Sequence, residues 1–174
     1  GFENRTTTTW VEASDEYGTP VCDTTTCGAG GTGPYAGTYW TWFGGVSYSN
    51  TACLLGGTCE EYASVTQTLT IPASTSATLS FQFAIPACGD GYWSAYYDAT
   101  HDYDLFNVKV DSTVIYVANN YDPRCGTTSY QQVSLDVSSY ANGGSHSIAL
   151  LGYTADKSST TNFMVDDVKL TVCQ

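Results

Sequence analysis

Residues 88–104 read CGDGYWSAYYDATHDYD and gather the side chains best suited to chemistry in this chain. Rings (Tyr92, Trp93, Tyr96, Tyr97, Tyr103) are interleaved with carboxylates (Asp90, Asp98, Asp102, Asp104). Aromatic rings stack on the apolar face of a pyranose while carboxylates accept from its hydroxyls. Tyr92, Trp93, Tyr96 and Tyr97 are therefore the candidate ligand-binding residues. Two other readings compete. The rings could pack a long loop onto its own domain, or form a protein–protein surface, where Tyr and Trp are enriched. Catalysis is the weakest reading. In an extended segment Asp102 and Asp104 share a face and could pair as glycosidase carboxylates, but aspartates gathered in a loop more often solvate it or hold a cation. The only histidines are His101 and His146. Ser145 beside His146 on a strand points to the opposite face, and no G-x-S-x-G elbow is present. No catalytic residue is assigned, the chain is read as a non-enzyme, and His146 is expected on a strand surface.

The formal net charge is −12, with only Arg5, Lys109, Arg124, Lys157 and Lys169 positive. Such a surface repels nucleic acid, which attracts proteins through cationic patches. It fits solubility outside the cell, and it leaves carboxylates available to a hard cation such as calcium. Asp166 and Asp167 interrupt the alternation that would otherwise bury Val165 and Val168 consistently, and a bulge there would aim a carboxylate inward. No apolar run approaches the roughly 20 residues of a membrane helix, so membrane insertion is not expected. Residue 1 is Gly and no signal-like apolar region is present, so the chain reads as a mature or excised segment.

Seven cysteines in an acidic, Thr-rich chain point to an oxidising compartment, secreted or at the cell surface. Zinc is disfavoured because there is no C-x-x-C pair and no His beside a Cys. Cys22 with Cys27 and Cys53 with Cys59 are spaced to staple local loops. Cys88 and Cys125 each follow a strand-like run and could bridge two loops at one end of the fold. Cys173 is then unpaired, open to a second chain or a small thiol. Asn4 lies in the N-glycosylation pattern Asn-Arg-Thr.

The elements that must position these residues are strands. Residues 64–73, SVTQTLTIPA, and 76–86, SATLSFQFAIP, alternate with period two. Further strand patterns occupy 105–110, 112–117, 132–138, 146–153 and 162–172, with two more at 2–13 and 39–45. Val-Asp-Ser-Thr at 110–113 reads as a tight hairpin, and 138–147 as a turn with Asn-Gly-Gly chemistry. The Gly-rich stretch 18–37 reads as a stapled surface loop, because no Lys-Ser/Thr follows to make a phosphate cradle. Trp10, Trp40 and Trp42 fall within strand patterns and are expected in the core. About nine short strands in 174 residues suggest one all-β domain over 1–174.

Several phrases together carry a family resemblance: GFEN with Trp10, GTPVCDTTTCGAGGTGPYAGTYWTWFGG, SVTQTLTIPASTSATLSFQF, DYDLFNVKVDST, YQQVSLDVSSYANGGSHSIAL and TNFMVDDVKL. The chain resembles secreted bacterial β-sandwich modules of the galactose-binding-like, MAM-like kind. Its first and last phrases are similar to those of calcium-stabilised carbohydrate-binding modules. The resemblance implies a two-sheet antiparallel jelly-roll β-sandwich with long disulfide-stapled loops. It implies a structural calcium site carried by Glu3 and Asp166, with Asp167 as a further candidate. With Cys173 left unpaired, a chain of one such module reads as a non-catalytic adhesion or assembly module of a surface layer or filament, whose partners are copies of itself or other extracellular proteins. The alternative is a calcium-stabilised carbohydrate-binding module with glycan partners. The aromatic stretch 92–103 and the CLLGGTC segment exceed the resembling pattern.

Overall fold

Period-two burial along the strands over 61–66, 76–83, 105–110 and 145–154 decides the layers. A computed structural model describes residues 1–4, 10–15, 18–27, 32–45, 60–89, 104–155 and 160–173. Ten strands follow in order: β1 (Val11–Ser14), β2 (Val21–Cys22), β3 (Trp40–Phe43), β4 (Glu61–Thr70), β5 (Ser76–Ala87), β6 (Leu105–Val110), β7 (Thr113–Asn119), β8 (Thr127–Asp136), β9 (Ser145–Thr154) and β10 (Asn162–Cys173). Sheet A has the order β1-β4-β9-β6-β7 and sheet B the order β2-β3-β10-β5-β8. All the strand pairs are antiparallel. The chain thus forms the jelly-roll sandwich its sequence implies.

The strand patterns at 64–73 and 132–138 begin too late. β4 starts at Glu61 and β8 at Thr127, because pairing with β9 and β5 continues past the point where the apolar alternation fades. The opening segment contributes only Val11–Ser14 to a sheet among the described residues. The stapled stretch 18–37 contains a two-residue strand, Val21–Cys22, paired with β3. His146 is buried at 9% exposure, against the surface position expected of it. It keeps step along β9 with Ile148 and Leu150, which face the core.

Between the sheets lies a ring cluster. Phe83 stacks on Phe106 at 4.9 Å and lies parallel to Phe163 at 6.2 Å, with Phe81 and Tyr116 edge-on. Burying each such ring stabilises by about 1.5–3 kcal/mol. Phe43 reaches across from sheet B onto β9 at Gly152, where an added Cβ would come within 2.4 Å of the Phe43 Cβ. Glycine there permits the close approach of the two layers. A second, smaller cluster of Cys22, Trp40, Ala84 and Met164 sits on the opposite face of sheet B. These residues alternate with Val21, Phe83, Phe163 and Val165, which face the main core. Trp40 is fully buried there, while Trp42 is partly buried against the cluster and Trp10 against Phe2.

Candidate functional site

Connections of different character leave the two ends of the sandwich. At one end the chain leaves β3, β5 and β9 for segments 46–59, 90–103 and 156–159, all outside the described residues. Tyr92, Trp93, Tyr96, Tyr97, His101 and Cys53–Cys59 lie in these segments. Their roots are described. The Cys88–Cys125 disulfide ties the end of β5 to the turn before β8. Asp104, 5% exposed, accepts from Ala155 N–H at 2.8 Å and Thr161 N–H at 2.7 Å, joining the start of β6 to the β9–β10 connection. Gly89 N–H donates to Thr161 Oγ1 at 2.9 Å. Asp104, expected as a loop carboxylate, is thus a buried organiser of the loop roots.

Close to this end, the outer face of sheet A carries a pair of rings that a strand pattern begun at residue 64 leaves out. Tyr62 on β4 and Tyr153 on β9 are directly opposite in register. Their rings lie 4.7 Å apart at 36°, and Tyr62 is 53% exposed. They border a shallow cleft of about 340 Å³ whose polar lining includes Asp15, Ser64, Asn107 and Lys109. The Tyr153 hydroxyl titrates well above its ordinary range: burial is the largest cause, followed by the charge and hydrogen bond of Glu60 and then by Tyr62. Tyr153 therefore stays a neutral hydroxyl at any physiological pH. The signal in the sequence is phase. Tyr62 falls in step with Ser64, Thr66 and Thr68, the polar face of β4, where a ring has no core to enter. Glu61, its neighbour, turns the other way, is 2% exposed, and accepts from Ser14 Oγ at 2.5 Å. It lines a second cleft of about 220 Å³ beside Trp42 and the Cys22–Cys27 disulfide.

The expected calcium residues divide. β10 carries a register shift between Asp166 and Lys169, and Asp167 adopts φ 49°. The irregularity expected from the sequence therefore lies at this point. Asp166 is 3% exposed and accepts from the N–H groups of Tyr35 (2.9 Å), Ala36 (3.1 Å) and Asp167 (2.6 Å). Glu3 accepts from Thr38 N–H and Tyr39 N–H at 2.9–3.0 Å. Gly37 sits between, and a Cβ there would lie 2.5 Å from the Glu3 carboxyl. The two carboxylates therefore grip one loop, 35–39. Burial holds the Asp166 carboxyl above the usual carboxylate range, and the charge of Glu3 adds to this. Asp167 is exposed and lines the outer polar groove of sheet B with Lys169. No group of three or more His, Cys, Asp or Glu placed to hold a metal ion occurs among the described residues. The Glu3–Asp166 oxygens do fit a hard cation in type and charge: Asp166 is a buried carboxylate whose ionised form is disfavoured, and each group retains an oxygen with only one amide donor. Asn4 is exposed, and Cys173 is an exposed free thiol.

No protein-family model matches the sequence, and no curated protein matches it. In three dimensions the chain is similar to the carbohydrate-binding module TmCBM61 in complex with beta-1,4-galactotriose, at 12% identity over 99% of this chain and 94% of that one, TM-score 0.61. It is similar to the K1 cleaved adhesin domain of Lys-gingipain from Porphyromonas gingivalis W83, at 12% identity over 99% and 96%, TM-score 0.58. A carbohydrate-binding module of the β-sandwich superfamily follows, at 11% identity over 98% of this chain and 60% of that one, TM-score 0.56. At these identities the likeness is one of fold.

Proposed function

We propose that this chain is a non-catalytic, extracellular glycan-binding module that docks sugar on the outer face of sheet A. The observation that carries the reading is the Tyr62–Tyr153 pair: two rings in register on a strand face, one of them half exposed, beside hydrogen-bonding side chains at the rim of a cleft. Rings offer a pyranose its stacking surface, and Asp15, Asn107 and Lys109 offer partners to its hydroxyls. The fold of carbohydrate-binding modules supports the assignment over a purely structural building block. Two disulfides support a secreted or surface location.

The test is a glycan panel that includes β-1,4-linked galacto-oligosaccharide, read by calorimetry. Tyr62→Ala should abolish the strongest hit, and Tyr62→Phe should keep it. Binding that survives Tyr62→Ala and is lost in Trp93→Ala would move the site to the loop; no binding to any glycan would remove the reading altogether. Calcium, held by Glu3 and Asp166, would serve stability alone by joining the first residues to the last strand. Free calcium at 100 times its dissociation constant would add about 2.7 kcal/mol. A chelator should then lower the melting temperature of the wild type and leave Asp166→Ala unmoved. A melting curve indifferent to chelator removes the ion.

A further inference from the structure

The two lateral sides of the sandwich are built differently. On one side the sheets end in β1 and β2, which are four and two residues long, and β1 carries Glu12. On the other they end in β7 and β8, seven and ten residues long, with no second partner among the described residues. From Ser112 to Leu135, a span holding all of β7, the turn and nearly all of β8, the only charged residues are Asp122 and Arg124. These two are bonded to each other at 2.6 Å. The whole surplus of twelve negative charges therefore lies outside this span. Six large hydrophobic side chains are exposed among the described residues, and three of them belong here: Val114 (45%), Val117 (54%) and Tyr121 (67%). Val114 and Val117 stand opposite Lys109 and Asn107 on the outer face of sheet A.

Edge strands in soluble proteins are ordinarily blunted by charge, proline, brevity or bulges. β7 carries one bulge, at its register shift between Val114 and Tyr116, but it is uncharged, free of proline, rich in β-branched residues, and regular from Tyr116 to Asn119. We propose that β7 is a self-association edge. Two copies pair β7 to β7, antiparallel about a two-fold axis, so that sheet A runs continuously from one molecule into the next. A second copy is the fitting occupant because electrostatics selects it. Two bodies of net charge −12 repel wherever their carboxylates face, and the lateral side is where each offers the other a neutral surface. An isologous contact brings identical patches together, so each valine pair meets its own counterpart across the junction. Side-by-side docking in the sheet plane also holds the acidic faces and ends apart. Sheet extension of this kind draws affinity from main-chain hydrogen bonds and specificity from the alternate side chains.

The experiment is sedimentation of the full chain carrying Cys173→Ser, which removes disulfide-linked dimers. A reversible dimer is expected at micromolar concentrations in physiological salt, strengthening as added salt screens the mutual repulsion. Val117→Glu sets like charges at the junction and should weaken the dimer roughly tenfold or more, with a melting temperature within a few degrees of the parent. Val114→Glu repeats the measurement if that variant folds poorly. A parent chain that stays monomeric throughout would overturn the proposal. So would a dimer indifferent to both substitutions, or one lost only on Ser129→Glu, which assigns the contact to β8.

Discussion

The turn end of the sandwich and its loop end are held by different means. At the turn end, short connections close on one another through the backbone. Ile71 exchanges hydrogen bonds with Gly143 and Gly144, Ser74 N–H reaches Ala141, and Asp111 N–H reaches Ser147. A side-chain network joins two of them: His146 Nδ1 lies 2.9 Å from Asp111 Oδ2, and its Nε2 lies 3.1 Å from Asn142 Oδ1. That bond to His146 holds the Asp111 carboxyl below its ordinary range. At the loop end the short β7–β8 turn also closes through the backbone, with Asp122 N–H reaching Asn119, Cys125 N–H reaching Asp122 and Gly126 N–H reaching Ile85, and covalent and ionised groups are added to it: a disulfide, the buried Asp104, and the Asp122–Arg124 pair whose guanidinium lies 4.8 Å over Phe83. Backbone closure suffices where connections are brief. Where longer segments depart, strong anchors at their described roots are added to it.

If this contrast is right, removing one anchor from the loop end costs more than removing one group from the turn end. The largest effect is expected from Cys88→Ala with Cys125→Ala. The bridge spans 37 residues, and its loss should cost about 3–4 kcal/mol, read as a lower denaturant midpoint. Next is Asp104→Ala, which leaves two buried N–H groups without their acceptor and should cost about 2–3 kcal/mol. Asn142→Ala, its counterpart at the turn end, should cost about 1 kcal/mol. A larger loss from Asn142→Ala than from Asp104→Ala would break the comparison. The smallest effect concerns pH. Arg124, chiefly through its side-chain hydrogen bond, lowers the Asp122 pKa in the folded chain. The stability this contributes is present above the unfolded pKa and is lost as pH falls through the folded one. Asp122→Asn should therefore be less stable than the wild type by about 1 kcal/mol at neutral pH. The two melting curves should converge in strong acid.

The same contrast explains what is legible in the sequence. Alternation is local, so the presence of β4 to β10 can be read from it, though not where β4 and β8 begin, and the Asp166–Asp167 interruption marks the irregularity in β10 without any knowledge of pairing. The tight β6–β7 hairpin is legible because turn chemistry is also local. Position on a face is relational. Tyr62 matters because Tyr153 stands opposite it 91 positions later, and no window of one strand contains that fact. Asp104 illustrates the same limit. Among three neighbouring aspartates its composition says solvent or cation, while its partners, Ala155 and Thr161, come from another connection. His146 is misplaced when a polar residue at a strand start is weighed by type and its step with Ile148 is not.

In sheet B, the order of the strands bears on how the chain comes into being. β10, the last strand in sequence, lies in the middle of its sheet, between β3 and β5, and its pairs with β3 join residues some 120 positions apart. While the polypeptide emerges vectorially, β3 and β5 have no neighbour to join them, and Phe83 and Phe43 face a gap that only Phe163 and Val165 fill. Long-range pairing of this sort is paid for late, after the entropy of a large loop has been surrendered. Folding of this sheet therefore waits for the synthesis of β10, and until then its two halves depend on whatever keeps exposed strands from meeting the wrong partner.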